Sequence, residues 1–220
     1  NNTTAVGNAD KIAVLRNISV SGTISFDVKQ NVAVGTQPLG IAAGDLDGDG
    51  KADLAVCNAA TTTVSILKNR STVGTISLTT DVTLTGLSSP NEVSIGDFDG
   101  DSKPDLAVAN NGGSTVSFFR NSNTVTGTMS FTPTASLTFT TGSSPYGLAI
   151  GDVDGDGKID LAVANQGTNR LSVLKNSSTV GAFSFNNRVN YLTGNNPRGV
   201  VMGDMNADGK PDIAVANNGA

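Results

Sequence analysis

Apolar residues form short blocks along the chain or alternate with polar residues, and clusters of Gly, Asn, Ser and Thr separate the blocks. The blocks are rich in β-branched residues and no segment keeps a sustained 3.6-residue apolar period, so every element is predicted to be a strand. In one representative stretch the pattern predicts strand A at 40–44, strand B at 53–58, strand C at 63–69 and strand D at about 76–84. Equivalent strands are expected elsewhere in the chain.

A segment of 15 residues occurs four times without gaps, as GDLDGDGKADLAVCN, GDFDGDSKPDLAVAN, GDVDGDGKIDLAVAN and GDMNADGKPDIAVAN. The copies are 52, 55 and 52 residues apart, and a Pro stands seven residues before the first Asp of each. A second run follows three of the copies as VSILKN, VSFFRN and LSVLKN, and its fourth form, IAVLRN, lies near the start of the chain. The chain is therefore a repeat protein whose four unit lengths are circularly offset.

The repeats predict an all-β fold, a β-propeller of four-stranded antiparallel blades, because four short strands in about fifty residues is typical of one blade. The LAV and IAV runs of strand B are predicted to be buried between blades. We treat 1–220 as one propeller region with units at about 1–35, 36–87, 88–142, 143–194 and 195–220, the first and last being half-blades.

Two arrangements of these units stay open. The half-blades could close a four-bladed ring, which the nearly integral unit count favours. The chain could instead be part of a larger propeller, which the Asn pairs at 1–2 and 217–218 favour, since both correspond to the pair at 110–111. On balance we favour part of a larger secreted protein.

Composition excludes several classes of function. With 14 Lys and Arg against 19 Asp and Glu, the net charge of −5 offers no basic surface for a nucleic acid. The chain has no His, which removes His-based acid–base catalysis and imidazole-ligated metals. Its one Cys, Cys57, replaces an Ala of the sister strands and is predicted to be a small buried residue. No apolar stretch approaches the length of a membrane helix, so no membrane insertion is expected.

Each 15-residue copy contains a loop with carboxylate or amide side chains at positions 1, 3, 5 and 9, counted from its first Asp. Four carboxylates in nine residues repel one another unless a cation neutralises them, and oxygen ligands at alternate positions suit Ca²⁺. Gly50, Gly157 and Gly209 at position 6 allow a sharp turn that brings the position-7 carbonyl toward the ion, whereas the second loop has Ser102 there.

We expect about four Ca²⁺ ions per chain, the fourth bound more weakly because Asn206 carries no charge. The Lys at position 7 would act through its backbone carbonyl. The predicted ligands are Asp45, Asp47, Asp49, Lys51 and Asp53; Asp97, Asp99, Asp101, Lys103 and Asp105; Asp152, Asp154, Asp156, Lys158 and Asp160; and Asp204, Asn206, Asp208, Lys210 and Asp212.

Other interpretations of these loops fit less well. Solvated Asp-Gly turns without metal are the simplest alternative, but four copies in register disfavour it. An EF-hand or dockerin loop needs an acidic ligand at position 12 and flanking helices, whereas position 9 here opens a strand. The calcium-binding β-roll needs GGxGxD nonapeptides, which the sequence lacks. Thrombospondin-like acidic repeats lie closer together and carry cysteines.

The pattern GDxDGDGxxDLAVAN at this spacing resembles the FG-GAP/VCBS repeats of the integrin α-subunit N-terminal β-propeller and of its bacterial secreted relatives. The resemblance covers nearly the whole chain and implies that the Asp-rich loop between the first two strands of each blade binds Ca²⁺. Propellers of this family usually have seven blades. The Phe-Gly of the integrin form is replaced at Pro38, Pro90, Pro145 and Pro197, and Gly-Ala-Pro is replaced by Ala-Asn or Cys-Asn, which favours the bacterial branch.

Ligands of propellers more often bind the face opposite such metal loops. Here that face would be built from the B–C and D–A loops, and four residues beside the repeated Pro vary between units. We take these four as candidate ligand contacts: Asn91, Glu92, Tyr146 and Arg198. The acidic residues outside the metal loops have no paired arrangement, so the protein is expected not to be an enzyme.

The sequence favours an extracellular calcium-binding propeller module for adhesion or for recognition of a protein or glycan, with Ca²⁺ stapling each blade. The alternatives are an architectural, non-catalytic domain of a larger secreted or surface protein and an accessory module of a polysaccharide-degrading enzyme. A secreted or cell-surface location is expected because sites of this kind suit millimolar Ca²⁺. The expected partners are a protein or glycan ligand and other domains of a longer chain.

Overall fold

The computed structural model describes residues 10–186 and 188–219, which form sixteen β-strands and one short 3₁₀ turn. Three four-stranded antiparallel sheets form complete blades, and two two-stranded sheets form half-blades. The first blade contains β3 (Pro38–Gly44), β4 (Asp53–Asn58), β5 (Thr63–Asn69) and β6 (Leu78–Leu84); the second contains β7 (Pro90–Gly96), β8 (Asp105–Asn110), β9 (Thr115–Phe119) and β10 (Leu137–Thr140); the third contains β11 (Pro145–Gly151), β12 (Asp160–Asn165), β13 (Arg170–Leu174) and β14 (Val189–Leu192).

The N-terminal half-blade contains β1 (Lys11–Val14) and β2 (Gln30–Ala33), and the C-terminal half-blade contains β15 (Pro197–Gly203) and β16 (Asp212–Asn217). Within the described ranges, β1 pairs with β2 and β16 pairs with β15, and the two half-blades belong to separate sheets. The Asn pair at 1–2 lies outside the described residues. No helix in the described part of the chain is long and apolar enough to cross a membrane.

The prediction of an all-β fold with four-stranded antiparallel blades is confirmed. The bounds predicted for strands B and C coincide with β4 and β5, whereas β3 starts two residues before predicted strand A and β6 starts at Leu78. The early start of β3 has a physical cause, because Pro38 pairs with Asn58 before the register shifts ahead of Ile41. Between residues 10 and 219 as described, the one element that is not a strand is the 3₁₀ turn Gln166–Thr168, between β12 and β13.

Successive blades pack through their first strands, since β3 contacts β7, β7 contacts β11 and β11 contacts β15. The second strands β4, β8 and β12 are almost wholly buried, which agrees with the prediction for the LAV runs. A core between the second and third blades contains Phe98, Phe118 and Phe185, and the rings of Phe118 and Phe185 stack with centroids 4.4 Å apart. The prediction was wrong for the IAV run of β16, where Ala214 is exposed, because β16 pairs only with β15 among the described strands.

A second type of interblade contact, between a basic side chain and a glycine of the next unit, occurs twice. A Cβ placed on Gly127 would lie 3.8 Å from Lys68 Nζ, and a Cβ placed on Gly74 would lie 3.9 Å from an Arg16 guanidinium nitrogen. Lys68 and Arg16 occupy equivalent sequence positions, as do the two glycines. The N-terminal half-blade therefore stands before the first blade as the first blade stands before the second.

Candidate metal sites

The four acidic loops join the first strand of each blade to the second. We call them the first (45–53), second (97–105), third (152–160) and fourth (204–212) acidic loops. Position 9 of each loop is also the first residue of the second strand. Sheet pairing therefore holds the last carboxylate of each loop in place independently of any metal.

Backbone amides of the loop bind the position-1 carboxylate. In the first acidic loop, Asp45 Oδ1 accepts hydrogen bonds from the amides of Gly48 (2.8 Å) and Asp49 (3.1 Å), and Asp45 Oδ2 accepts one from Gly50 (2.8 Å). Asp47 and Asp49 each accept, through Oδ1, the amide two residues further on. The same pattern recurs in the other loops, so the nine-residue turn is organised by its own side chains.

Positions 4 and 6 of the loop both require a left-handed backbone. In the first loop Gly48 and Gly50 have φ of 77° and 85°. The sequence had raised a question about Ser102 at position 6, but Ser102 adopts φ of 65° and its amide still donates to Asp97 Oδ2 at 2.8 Å. The second loop therefore keeps the geometry of the others. The need at position 4 was missed, and the sequence signal for it was the glycine present there in three of the four copies.

The position-9 carboxylate joins the loop to the third strand of the blade. Asp105 Oδ2 accepts the amide of Phe98 (3.0 Å), and Oδ1 accepts the amide of Asn121 (2.8 Å), two residues after the end of β9. Asp53 and Asp160 make the equivalent bonds, and all three of these Asp residues are fully buried.

Burial governs the protonation of these position-9 residues. Desolvation raises the pKa of Asp105 from 3.8 to about 7, and it also raises the pKa values of Asp53 and Asp160. Bonds to amides and basic groups act in the opposite direction at position 5, which is less buried than position 9: the amide of Lys51 lowers the pKa of Asp49, and the Lys175 ammonium lowers that of Asp156.

Three of the loops bring three carboxylates together. Their ligand atoms lie within 4.8 Å of one another in three groups: Asp45, Asp47 and Asp53; Asp97, Asp99 and Asp101; and Asp152, Asp154 and Asp160. Ca²⁺ binds carboxylate oxygens at 2.3–2.6 Å, so two ligands on opposite sides of one ion are at most about 5 Å apart. Both the donor type and the spacing therefore fit Ca²⁺ in these loops.

The fourth acidic loop has the same turn, but fewer of its carboxylates converge. Asp204 accepts the amides of Asp208 and Gly209, and Asp212 accepts that of Met205. Position 3 is Asn206, so three carboxylates do not converge in this part of the described chain as they do in the other loops. Ala207 at position 4 holds a φ of 62°, which costs about 1 kcal/mol for a residue with a Cβ.

Basic residues at the end of the third strand were missed as members of these sites. Lys68 Nζ donates to Asp47, Arg120 donates to Asp99 (2.5 Å) and Asp101 (2.7 Å), and Lys175 contacts Asp154 and Asp156. The sequence signal was the repeated basic residue followed by Asn in VSILKN, VSFFRN and LSVLKN. Two position-7 side chains also reach acidic groups, since Lys51 lies 3.4 Å from Asp49 and Lys103 lies 3.4 Å from Asp101.

The Asn that follows each third-strand basic residue was missed as well. Asn121 Nδ2 donates to the carbonyl of Leu46 in the preceding blade (2.8 Å) and to Pro104 O (3.0 Å) in its own. Asn176 does the same with Phe98 O and Ile159 O. These buried amides connect the acidic loops of neighbouring blades.

The four candidate ligand contacts lie near the opposite end of the blades. Asn91 is buried and donates to Tyr146 O (3.0 Å), and the Arg198 guanidinium lies 5.0 Å from the centre of the Tyr146 ring. Glu92 is half-buried, and desolvation raises its pKa. The structure therefore places Asn91, Tyr146 and Arg198 in contacts between blades, whereas Glu92 occupies the inner-strand position that is Gly40, Gly147 or Gly199 in the other units.

This arrangement defines a class of protein, an array of propeller blades whose first two strands are joined by Asp-rich loops of metal-binding type. A family model described as the FG-GAP-like repeat matches residues 4–56, 45–108, 97–163 and 152–215. The matches together span most of the chain, which therefore belongs to the FG-GAP-like repeat family, as its motifs had indicated. Membership indicates a β-propeller-type module of the adhesion or recognition kind. A search of curated proteins found no match to this chain.

Proposed function

We propose that the chain is an extracellular calcium-binding β-propeller module for adhesion or for recognition of a protein or glycan, in which Ca²⁺ staples each blade. The observation that supports this proposal is the convergence of three carboxylates in each of three acidic loops. An extracellular location is part of the proposal, because loops of this charge need the millimolar Ca²⁺ found outside cells.

The residues of the loop hold the site in a defined shape. Asp45 fixes the turn through three backbone amides, and Asp53 fixes the start of β4 through the amides of Leu46 and Asn69. A bound Ca²⁺ would supply the positive charge that the carboxylates lack and would join the end of the first strand to the start of the second. Binding would therefore stabilise the folded blade over the unfolded chain.

The proposal is tested by titrating metal-stripped protein with Ca²⁺ and recording thermal unfolding with and without chelator. We expect about four ions, three of them bound more tightly than the fourth, and a clear rise in melting temperature. Asp45→Asn, Asp97→Asn and Asp152→Asn should each remove about one ion. Asp81→Asn is the matched control, because Asp81 is an acidic residue outside the loops, paired with Arg70 at 3.3 Å. A metal-stripped protein that neither binds Ca²⁺ nor changes its melting temperature would contradict the proposal.

An architectural role is the second candidate, and the contacts of the opposite face favour it. Asn91 is buried and donates to the Tyr146 carbonyl, and the Arg198 guanidinium lies against the Tyr146 ring, so these side chains join blades. A glycan array with and without Ca²⁺ separates the two roles. Binding that depends on Ca²⁺ and is lost in Tyr146→Ala or Arg198→Ala, with the melting temperature retained, supports recognition. A blank array supports architecture.

We further propose that the module is non-catalytic. Two of the acidic residues outside the loops are held in ion pairs, Asp27 with Arg16 at 2.7 Å and Asp81 with Arg70 at 3.3 Å. Such pairing favours a structural role for these carboxylates. Turnover of a polysaccharide that is lost in Glu92→Gln would contradict this part of the proposal and would favour the accessory-enzyme alternative.

A further inference from the structure

Each complete blade carries a basic side chain that reaches from the end of its third strand into its own acidic loop. Lys68, Arg120 and Lys175 occupy the same sequence position in their blades and contact the position-3 carboxylates Asp47, Asp99 and Asp154. Lys68 and Asp47 are 21 residues apart in the chain, so the contact is made by the fold of the blade.

The oxygens that these side chains contact are the ones that the backbone leaves free. In the second loop, both oxygens of Asp97 and of Asp105 accept backbone amides. Asp99 and Asp101 use only Oδ1 in this way, with the amides of Asp101 and Lys103. Arg120 binds the remaining Oδ2 atoms of Asp99 and Asp101, so it occupies the carboxylate oxygens that carry no backbone hydrogen bond.

We propose that Lys68, Arg120 and Lys175 are tethered counter-cations, which neutralise the acidic loops of the metal-free protein and compete with Ca²⁺ for the same carboxylate oxygens. This inference rests on the proposed calcium binding. It means that the loops keep their shape without metal, and that the affinity of each loop for Ca²⁺ depends on how firmly its basic residue is held.

The three loops hold their basic residue to different degrees. The Lys68 side chain is 9% exposed, its partner Asp47 is fully buried, and Lys68 Nζ also donates to Gly127 O of the next blade. Arg120 is 30% exposed and binds two carboxylates. Lys175 also binds two carboxylates, but its side chain is 45% exposed and its partners Asp154 and Asp156 are 37% and 32% exposed. Displacement is therefore hardest in the first loop and easiest in the third, so the third loop should bind Ca²⁺ more tightly than the first.

The half-blades provide an internal comparison. Arg16, the equivalent residue of the N-terminal half-blade, pairs instead with Asp27 at 2.7 Å. In the described part of the chain, no basic residue of a third strand contacts the fourth acidic loop. The basic residue is thus present in all four copies of the third-strand run, and it contacts an acidic loop in the three copies that belong to complete blades.

The test compares Lys68→Met, Lys175→Met and the triple variant that also carries Arg120→Met. Arg70→Met is the matched control, because Arg70 is two residues from Lys68, carries the same charge, and pairs with Asp81 outside the loop. Melting is recorded in chelator and in saturating Ca²⁺, and Ca²⁺ affinity is measured by isothermal titration. Lys175→Met is included because its exposed pair can be broken without loss of the fold.

In chelator, Lys68→Met should melt about 6 °C or more below the wild type, because it leaves the buried Asp47 unpaired. Saturating Ca²⁺ should remove most of that difference. The Ca²⁺ affinity of the altered loop should rise about tenfold, since one competing charge has been removed. Lys68→Arg should behave like the wild type because it keeps the positive charge. Arg70→Met should change neither the melting temperature in chelator nor the Ca²⁺ affinity.

The outcomes separate this inference from the proposed function. If the wild type binds Ca²⁺ and the Lys68, Lys175 and triple variants bind it no better than Arg70→Met does, the inference of tethered counter-cations is overturned. The proposed calcium sites are then retained. If neither the wild type nor the triple variant binds Ca²⁺, both are overturned. Binding by the triple variant that exceeds wild-type binding supports the inference.

Discussion

Two strands of almost the same sequence have different surroundings in this protein. DLAVAN forms β8 in the second blade and is buried at every residue, whereas DIAVAN forms β16 in the C-terminal half-blade and is half-buried or exposed throughout. β8 lies between β7 and β9, and β16 pairs with β15 alone among the described strands. The comparison shows that the repeat motif is sufficient to form the strand, while its burial depends on the third strand and on the next blade.

The acidic loops that precede these strands differ in the same way. Asp105 is fully buried and is bonded to the end of the third strand, whereas Asp212 is half-buried and bonded to Met205 of its own loop. The turn itself survives in both loops because its bonds are local. Among the described residues, no third-strand amide bonds to Asp212 and no third-strand cation contacts Asn206, whereas Asn121 and Arg120 make these contacts in the second loop.

The largest expected effect is on the pH dependence of stability. Because burial disfavours the charged form of Asp105, the folded protein binds this proton more tightly than the unfolded chain does. The stability that this contributes is complete below about pH 4 and is lost as pH rises through about 7. The difference from its ordinary value of 3.8 corresponds to about 4 kcal/mol.

Urea unfolding of the metal-free protein between pH 4 and pH 8 measures this loss, and Asp105→Asn should reduce the slope, the remainder coming from groups such as Asp53 and Asp160. Asp204 in the fourth loop has a pKa lowered by the amide of Gly209, so its contribution is lost only as pH falls below about 4. Asp204→Asn should therefore leave the slope from pH 4 to pH 8 unchanged. An equal slope in Asp105→Asn and the wild type would show that burial of this carboxylate does not distinguish the two loops.

The next largest effect on stability is expected at the glycines of the first strands, where one blade contacts the next. A Cβ on Gly147 would overlap the backbone carbonyl of Arg198 in the next unit, whereas a Cβ on Gly199 would lie 3.4 Å from the Cβ of Ala216. Gly147→Ala should lower the free energy of unfolding by about 3 kcal/mol, and Gly199→Ala by less than about 1 kcal/mol. Denaturant unfolding of both variants measures the difference. Equal losses would mean that the glycine is needed for the strand and not for the approach of the next blade.

The third expected effect concerns the hydrogen bonds that the Asn121 side chain makes between two blades. Asn121→Ala leaves the buried carbonyls of Leu46 and Pro104 without this donor and should cost about 2 kcal/mol. Asn69 is the matched control, since its amide donates to Ala52 O of its own loop at an exposed site, and Asn69→Ala should cost about half as much. The same unfolding experiment measures both, and the ranking would be refuted by a larger loss for Asn69→Ala.

The smallest effect is expected on Ca²⁺ binding when a negative charge is added to the fourth loop. Asn206→Asp restores the carboxylate that the other loops have at position 3 and should strengthen Ca²⁺ binding there by up to about 1.4 kcal/mol, a tenfold change. Calorimetric titration of the variant measures it. If the fourth loop stays weak, the missing charge is not the cause, and the half-buried Asp212, which accepts the amide of Met205 but no third-strand amide in the described chain, accounts for the weakness.

Sequence reasoning reached most of the fold but only part of the site. Strands β4 and β5 were predicted at their observed bounds, because alternation and Gly-rich breaks are local signals. The predicted ligands of each loop were four Asp or Asn side chains and the position-7 carbonyl, and the structure brings three of the carboxylates together in each complete blade. Lys68 and Asn121 were visible as repeated letters, but nothing in the alternation of the strand indicates which end of it meets an acidic loop.

The sequence by itself determined the repeat, the order of strands and the shape of the acidic turn. These depend on backbone conformation and on bonds between residues up to seven positions apart, such as that between Leu46 and Asp53. The tertiary structure alone decided which copies of the motif are buried, which carboxylates converge and which basic residue neutralises them. The physical reason is distance along the chain, because desolvation and interblade bonds join residues as far apart as Leu46 and Asn121, 75 positions away.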